Sequence, residues 1–358
     1  MKRVAKVQSC KNRGCNRSVS RGGRRGIASI AEVVLLVLVA SVVWLGIRVI
    51  LAPIQGSESD SSESVCGPIV SLSVICDGRK ILARRGFSEV VTFDLTHNRI
   101  QKIFGWNGRP LQAVRVSQDG ETCLLSIEDQ EVLLFQRNEL LRADFLTAKS
   151  SVQIALSLNG RTAIRLVDGI SLRRWDLSSD EVVESDYSFA EKVDRISLDF
   201  EGNRMLVSMC EGALNLCDVK TGVVVQSLEG RGHPRADPVF SNDGSCVVVA
   251  SNRSVTLYEL PSGHPVWTVR FDDQNDQDWL TSVAISPDGQ WVAASGIASP
   301  IRVLSRACGR VLHHFSKSST SGVAFSSVSD AMYSGSLDGS ISRMSLVDGR
   351  NVVLAKAY

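Results

Sequence analysis

Five histidines, nine cysteines and one dense acidic loop are the residues of this chain whose types could do chemistry. Their spacing argues against most of it. His313 and His314 are adjacent, so on a strand they point to opposite faces and cannot hold one metal. His97, His233 and His264 are isolated, and Cys10 and Cys15 sit in a basic tail with no two further ligands beside them. There is no phosphate-cradling glycine loop, no Gly-x-Ser-x-Gly elbow, no His-Glu-x-x-His and no Cys-x-x-Cys. Asp272, Asp273, Asp276 and Asp278 place four acids in seven positions, a density that suits Ca²⁺, but the loop lacks the glycine and distal glutamate of an EF-hand. It reads as a solvated acidic loop. The expectation is therefore no catalytic residue, no metal and no cofactor.

The same loop makes better sense as part of a surface. It ends in Trp279, and two other segments share its character: one holds Trp106 and Arg109, the other Arg231, His233 and Arg235. Mixed charge with interleaved aromatics suits a protein or peptide partner, because tryptophan and arginine anchor interfaces more often than other residues. These ten residues form the candidate binding rim.

The elements that must position them announce themselves by a beat. Asp77-Gly78, Asp119-Gly120, Asn159-Gly160, Glu201-Gly202, Asp243-Gly244 and Asp288-Gly289 recur about every 42 residues, and Val328-Ser329 keeps the interval in degenerate form. An Asp-Gly pair between alternating apolar runs is a β-hairpin signal. Laying the seven copies over one another adds a second turn, as at Asp168-Gly169 and Asp338-Gly339, and a third, as at Thr221-Gly222 and Ser262-Gly263. Each unit thus predicts four strands and three tight turns. A four-stranded unit of this length, copied seven times, is what a ring of propeller blades requires.

With the units aligned, the residues resemble the WD-repeat family, which carries a Gly-His early in each repeat and a Trp-Asp at the end of its third strand. Trp175-Asp176 is the one intact Trp-Asp, and Gly232-His233 the one Gly-His in the matching place. The resemblance covers about four-fifths of the chain, and Ser-Pro-Asp-Gly turns are shared with other propeller families. It implies an all-β, seven-bladed propeller over residues 68–358, with a role in binding. It also implies that the loops leaving each fourth strand share a rim with the turns at Asp129, Asp168, Asn252 and Asp338, opposite the Asp-Gly turns.

The first 67 residues differ in kind. Residues 1–29 are a basic tail with nine Lys and Arg before position 26 and no acid, and residues 30–52 are an apolar stretch. As a helix that stretch would be roughly 34 Å long, enough for a hydrocarbon core of about 30 Å. Because cytoplasmic flanks accumulate Lys and Arg, the expectation is a single transmembrane helix with the N-terminus cytoplasmic and the ring outside the cytoplasmic membrane. A cleaved secretory signal is an alternative for this segment. A prepilin-type processing site at Arg24-Arg25-Gly26 is another, although Glu32 stands one residue too far from it. Residues 53–67, rich in Ser and Glu, read as a flexible linker.

Charge and cysteine usage set further bounds. With residues 1–54 set aside, thirty Lys and Arg face thirty-seven Asp and Glu, a net charge of −7, so the ring is a poor ligand for nucleic acid. Seven cysteines beyond the apolar stretch form no even framework, which points to a reducing compartment. The charge asymmetry carries more weight here. Cys123, Cys210 and Cys246 are expected as buried small hydrophobes in second strands.

Taken together, these features point to a membrane-anchored interaction scaffold that is not an enzyme, with a protein or peptide on its rim and the membrane held through residues 30–52. The alternative is a propeller hydrolase or quinone-dependent enzyme. That enzyme would show acidic and amide residues converging within about 2.6 Å of a common point at the channel mouth; an apolar channel would go with the platform. An internal signalling scaffold would follow if the ring were cytoplasmic.

Overall fold

The computed structural model describes residues 67–76, 78–105, 110–127, 131–137, 139–145, 153–179, 183–229, 236–271, 279–296, 299–315 and 320–355. They form seven four-stranded antiparallel sheets, each made of four strands consecutive in sequence. Blades 1 to 7 span residues 69–105, 111–145, 154–188, 193–227, 239–270, 280–315 and 320–355. No sheet contains strands from both ends of the described chain. The transmembrane helix expected over residues 30–52 lies outside the described residues. Among the described residues no helix is long and apolar enough to cross a membrane.

Sheets with two apolar faces must be covered on both, and here each blade covers the next. Seven hydrophobic clusters result, one per interface. Ile75, Leu82 and Val90 of blade 1 meet Leu111, Val114 and Leu125 of blade 2. Leu124, Val132 and Leu134 meet Trp175 of blade 3, whose ring is 1% exposed. The last cluster joins Tyr333 and Ile341 of blade 7 to Ile69, Leu72 and Ile81 of blade 1, which closes the ring by face packing. Exposure rises outward: the outermost strands Val224–Ser227, Pro265–Arg270 and Asn351–Ala355 are mostly solvated, while second strands such as Cys246–Ser251 are almost wholly buried.

The Asp-Gly pairs turn between first and second strands and also stitch blades together. Gly120 has φ of 80°, a conformation that costs an L-residue but not glycine. At the degenerate copy Ser329 takes φ of 58° in its place. A serine two residues before the acid locks the turn. Ser117 Oγ donates to Asp119 Oδ1 at 2.5 Å and accepts from Thr122 N–H at 2.9 Å, and Ser157, Ser241 and Ser286 repeat both bonds. The turns then chain from blade to blade: Cys76 N–H donates to Gln118 O at 2.9 Å, and Gln118 N–H to Leu158 O at 2.8 Å.

One local expectation needs correction. Cys210 is exposed, lying one residue past the second strand Arg204–Met209. Its turn holds three residues, with Met209 N–H donating to Ala213 O at 2.8 Å, so Met209 faces Ala213 and Cys210 lies in the turn. Gly212, at φ of 91°, takes the left-handed position that such a loop requires. Cys123 and Cys246 lie in second strands as expected, and burial pushes the Cys123 thiol up to about 12.

Candidate functional site: the central channel

The innermost strands are Ile69–Ile75, Leu111–Val116, Ile154–Leu156, Val193–Leu198, Val239–Phe240, Leu280–Ile285 and Thr320–Phe325. Together with residues just before two of them, they wall a cavity of about 580 Å³ lined by all seven blades. The position six residues before the first residue of each turn pair supplies Ser71, Ala113, Gln153, Arg195, Asp237, Ser282 and Gly322, and every one of them lines the cavity.

Two backbone devices shape this wall. In five inner strands the pairing with the second strand skips one residue: Val70, Gln112, Asp194, Thr281 and Ser321. A bulge of this kind re-aims side chains, and in four of the five strands both the skipped residue and its successor line the cavity. The second device is in blade 5. Pro238 has no N–H for the ladder, and the inner strand begins only at Val239. Asp237 therefore precedes the strand, free to face the channel.

The charges are concentrated. Arg115 from blade 2 and Arg195 from blade 4 converge on Asp237 from blade 5. Arg115 Nη2 donates to Asp237 Oδ2, and Arg195 Nη1 donates to Oδ1 at 3.0 Å. Burial pushes the Asp237 carboxyl up, but the charges of Arg115 and then Arg195, with their hydrogen bonds, outweigh it and hold the group below the ordinary carboxylate value. Arg84, on the second strand of blade 1, is the remaining charge in the lining. Its Nη1 donates to Leu111 O at 2.5 Å and Gln112 O at 2.8 Å. Burial, and secondly repulsion from Arg115, lower its pKa.

This wall matches neither of the two channels expected from sequence. It is not apolar, and the groups that converge are arginines on one carboxylate rather than acids and amides on a shared point. Among the described residues no group of three His, Cys, Asp or Glu is placed to hold a metal ion. A larger cleft, about 700 Å³, opens between blades 5 and 6. Its central guanidinium is already engaged: Arg306 donates to Ser245 Oγ at 2.5 Å and Gly289 O at 3.3 Å. The channel, with buried guanidinium nitrogens left over, is the stronger candidate.

Of the ten rim residues expected from sequence, Trp279 alone is described. It precedes the inner strand of blade 6 and is 46% exposed. Trp106, Arg109, Arg231, His233, Arg235, Asp272, Asp273, Asp276 and Asp278 lie outside the described residues. The intact Trp-Asp is structural: Trp175 packs between blades 2 and 3, while Asp176 accepts from Arg174 Nη2 at 2.5 Å and from Ser178. His264 pairs with Glu229 at 2.6 Å, and His97 with Asp94 at 3.1 Å.

The chain is similar to Autophagy-related protein 16 of Arabidopsis thaliana, with 24% identity over 208 residues. The match takes in 56% of this chain and 41% of that protein, so the chain spans less than half of its relative's length. No family model matches the chain.

Proposed function

We propose that this chain is a membrane-anchored interaction platform. Residues 30–52 cross the cytoplasmic membrane, residues 1–29 remain inside, and the propeller lies outside, where it binds a protein or peptide and makes or breaks no bond. The observation that carries this reading is the ring itself: seven sheets packed face to face, with turn-to-turn hydrogen bonds linking blades 1 to 4 on one rim, make a rigid scaffold for the connections on the other. Variable loops on a rigid scaffold are the usual carriers of recognition. By chain order Trp106, Arg109, Arg231, His233, Arg235 and the acidic segment 272–278 all fall in connections between a fourth strand and the next blade. The similar protein from Arabidopsis thaliana is named for a cellular process, not for a reaction.

The test has two stages. Protease added to intact cells and to spheroplasts should digest the propeller only once the outer barrier is opened, and without lysis of the inner membrane; protection in spheroplasts would put the ring inside and overturn the topology. Captured partners should then be lost when Trp106, Arg109 and Trp279 are changed together to Ala. A partner set unchanged by that substitution, and by Ala at Asp272, Asp273 and Asp276, would overturn the rim.

A further inference from the structure

We propose that the central channel is a binding site for a phosphate dianion, seated between the Arg84 and Arg115 guanidiniums. The argument begins with charge balance. Among the twenty residues lining the cavity the charged ones are Arg84, Arg115, Arg195 and Asp237, so one carboxylate leaves two positive charges uncompensated. A phosphomonoester above its second pKa of about 6, or inorganic phosphate above its own of about 7, carries that charge.

Geometry agrees. Asp237 is saturated by two arginines on its two oxygens and has nothing to offer a third. Arg84 is held by backbone carbonyls alone, which carry no charge, and its Nε is buried without a hydrogen-bond partner, as is Nε of Arg195. Holding two guanidiniums of like charge in one partly dry cavity is costly unless an anion joins them, and Arg84 does feel the Arg115 charge. Short polar groups add to this: Ser71 and Ser73 on the strand paired with that of Arg84, and Ser282 on blade 6, each with a hydroxyl able to donate to further phosphate oxygens. Planar, fixed forks of N–H donors are the groups best matched to phosphate. At about 580 Å³ the cavity is in the range of small-ligand sites, so the phosphate fits free or borne on an inserted phosphoserine.

The experiment uses the full-length chain in detergent and isothermal titration with three probes at matched ionic strength: inorganic phosphate, a phosphoserine peptide and the same peptide unphosphorylated. Phosphate or the phosphopeptide should bind at pH 7.5, the plain peptide should not, and binding should weaken as the pH falls below 6. Arg84→Gln should weaken it at least tenfold. Ser71→Asp, which removes no arginine and sets a competing negative charge on the strand paired with that of Arg84, should do the same. Binding of inorganic phosphate assigns the site to a free anion; binding of the phosphopeptide alone, with the same dependence on Arg84, assigns it to a partner's modified side chain. Failure of both phosphate probes, or binding indifferent to both substitutions, overturns the proposal. The outcome is independent of the rim and of membrane topology.

Discussion

The two sides of the channel are built on opposite principles. Blades 2, 4 and 5 contribute Arg115, Arg195 and Asp237, long side chains that meet across the opening. The inner strands of blades 6, 7 and 1 contribute Ser282, Gly322 and Ser71, short ones, with Arg84 reaching in only from the second strand of blade 1. The charged side holds blades that are not neighbours, since Arg115 and Asp237 are separated by two intervening blades. The small side brings neighbours close. Ser321 Oγ donates to Ile69 O across the closing seam, and Ser282 Oγ accepts from Val323 N–H at 3.1 Å across the interface before it. A ring can therefore be tied at its centre by reach or by proximity, and this chain uses each where its side chains allow.

Proximity is the less forgiving device, and the largest effect is expected there. A Cβ at Gly335 would stand 2.3 Å from Ile69 Cγ2 and 2.9 Å from Ile69 Cβ, a branched side chain that is 1% exposed and has no room to turn. Gly335→Val should destabilise the propeller by about 3 kcal/mol, the upper end for overpacking, read as a lower denaturant midpoint. A midpoint like that of the unaltered chain would mean the seam between blades 7 and 1 is loose.

On the charged side the largest single loss comes from the shared acceptor. Removing one partner of a fully buried ion pair costs about 3–5 kcal/mol. Asp237, Arg115 and Arg195 are each about 30% exposed (33%, 30% and 29%), so water recovers part of that. Asp237→Ala should cost about 2 kcal/mol after this discount. In a double-mutant cycle, Asp237→Ala and Arg195→Met should couple by about 1 kcal/mol. Additivity of the two would show that the blades are not tied through this carboxylate.

How much of this contrast could be read in advance depends on the kind of signal each part leaves. The seven units were legible because a tight turn demands left-handed backbone, which restricts the residue at that place to glycine or a tolerant substitute, and the restriction repeats. Val328-Ser329 was found by interval alone, and Ser329 does adopt the conformation. The channel was not legible, because a bulge inserts one residue without changing composition or alternation, and five bulges decide which side chains face inward. One clue was present. Counting back six from each turn's acid reaches Arg195 and Asp237 in adjacent units, but only the closed ring brings Arg115 and Arg84 to them. Exposure of Cys210 was missed for the same kind of reason, because a three-residue turn leaves it one residue past the second strand.

Acid should also separate the two sides, because one titrates and the other does not. The folded Asp237 pKa lies below the ordinary value of 3.8. The unfolded chain therefore binds a proton here more readily than the folded one between those two values. Stability from this group is complete above the unfolded pKa and is lost as pH falls through the folded one. Unfolding followed from pH 6 to pH 2 should show a slope below about pH 4. Asp94, through bonds from His97, and Asp243, through Ser241 and Ser245 against the effect of burial, are likewise held down to about 2 and share that slope. Asp237→Asn should remove only its own part. A variant as acid-sensitive as the unaltered chain would mean that the carboxylate's two arginines do nothing for stability.

The smallest effect tests whether the small side is held by hydrogen bonds or by packing. Ser282→Ala removes the acceptor of Val323 N–H and nothing else of size, and one net hydrogen bond is worth about 1 kcal/mol. If the interface between blades 6 and 7 relies on that bond, the midpoint should fall by that amount, and amide exchange at Val323 should quicken more than at Ile285, whose strand pairs remain intact. If packing suffices, Ala will be neutral, because Val323 already lies in an apolar cluster with Phe325, Met332 and Val303. The first outcome would make both sides of the channel polar ties that differ only in length. The second would leave the arginines and Asp237 as the polar tie that joins blades that are not neighbours, and would make their removal the more decisive experiment.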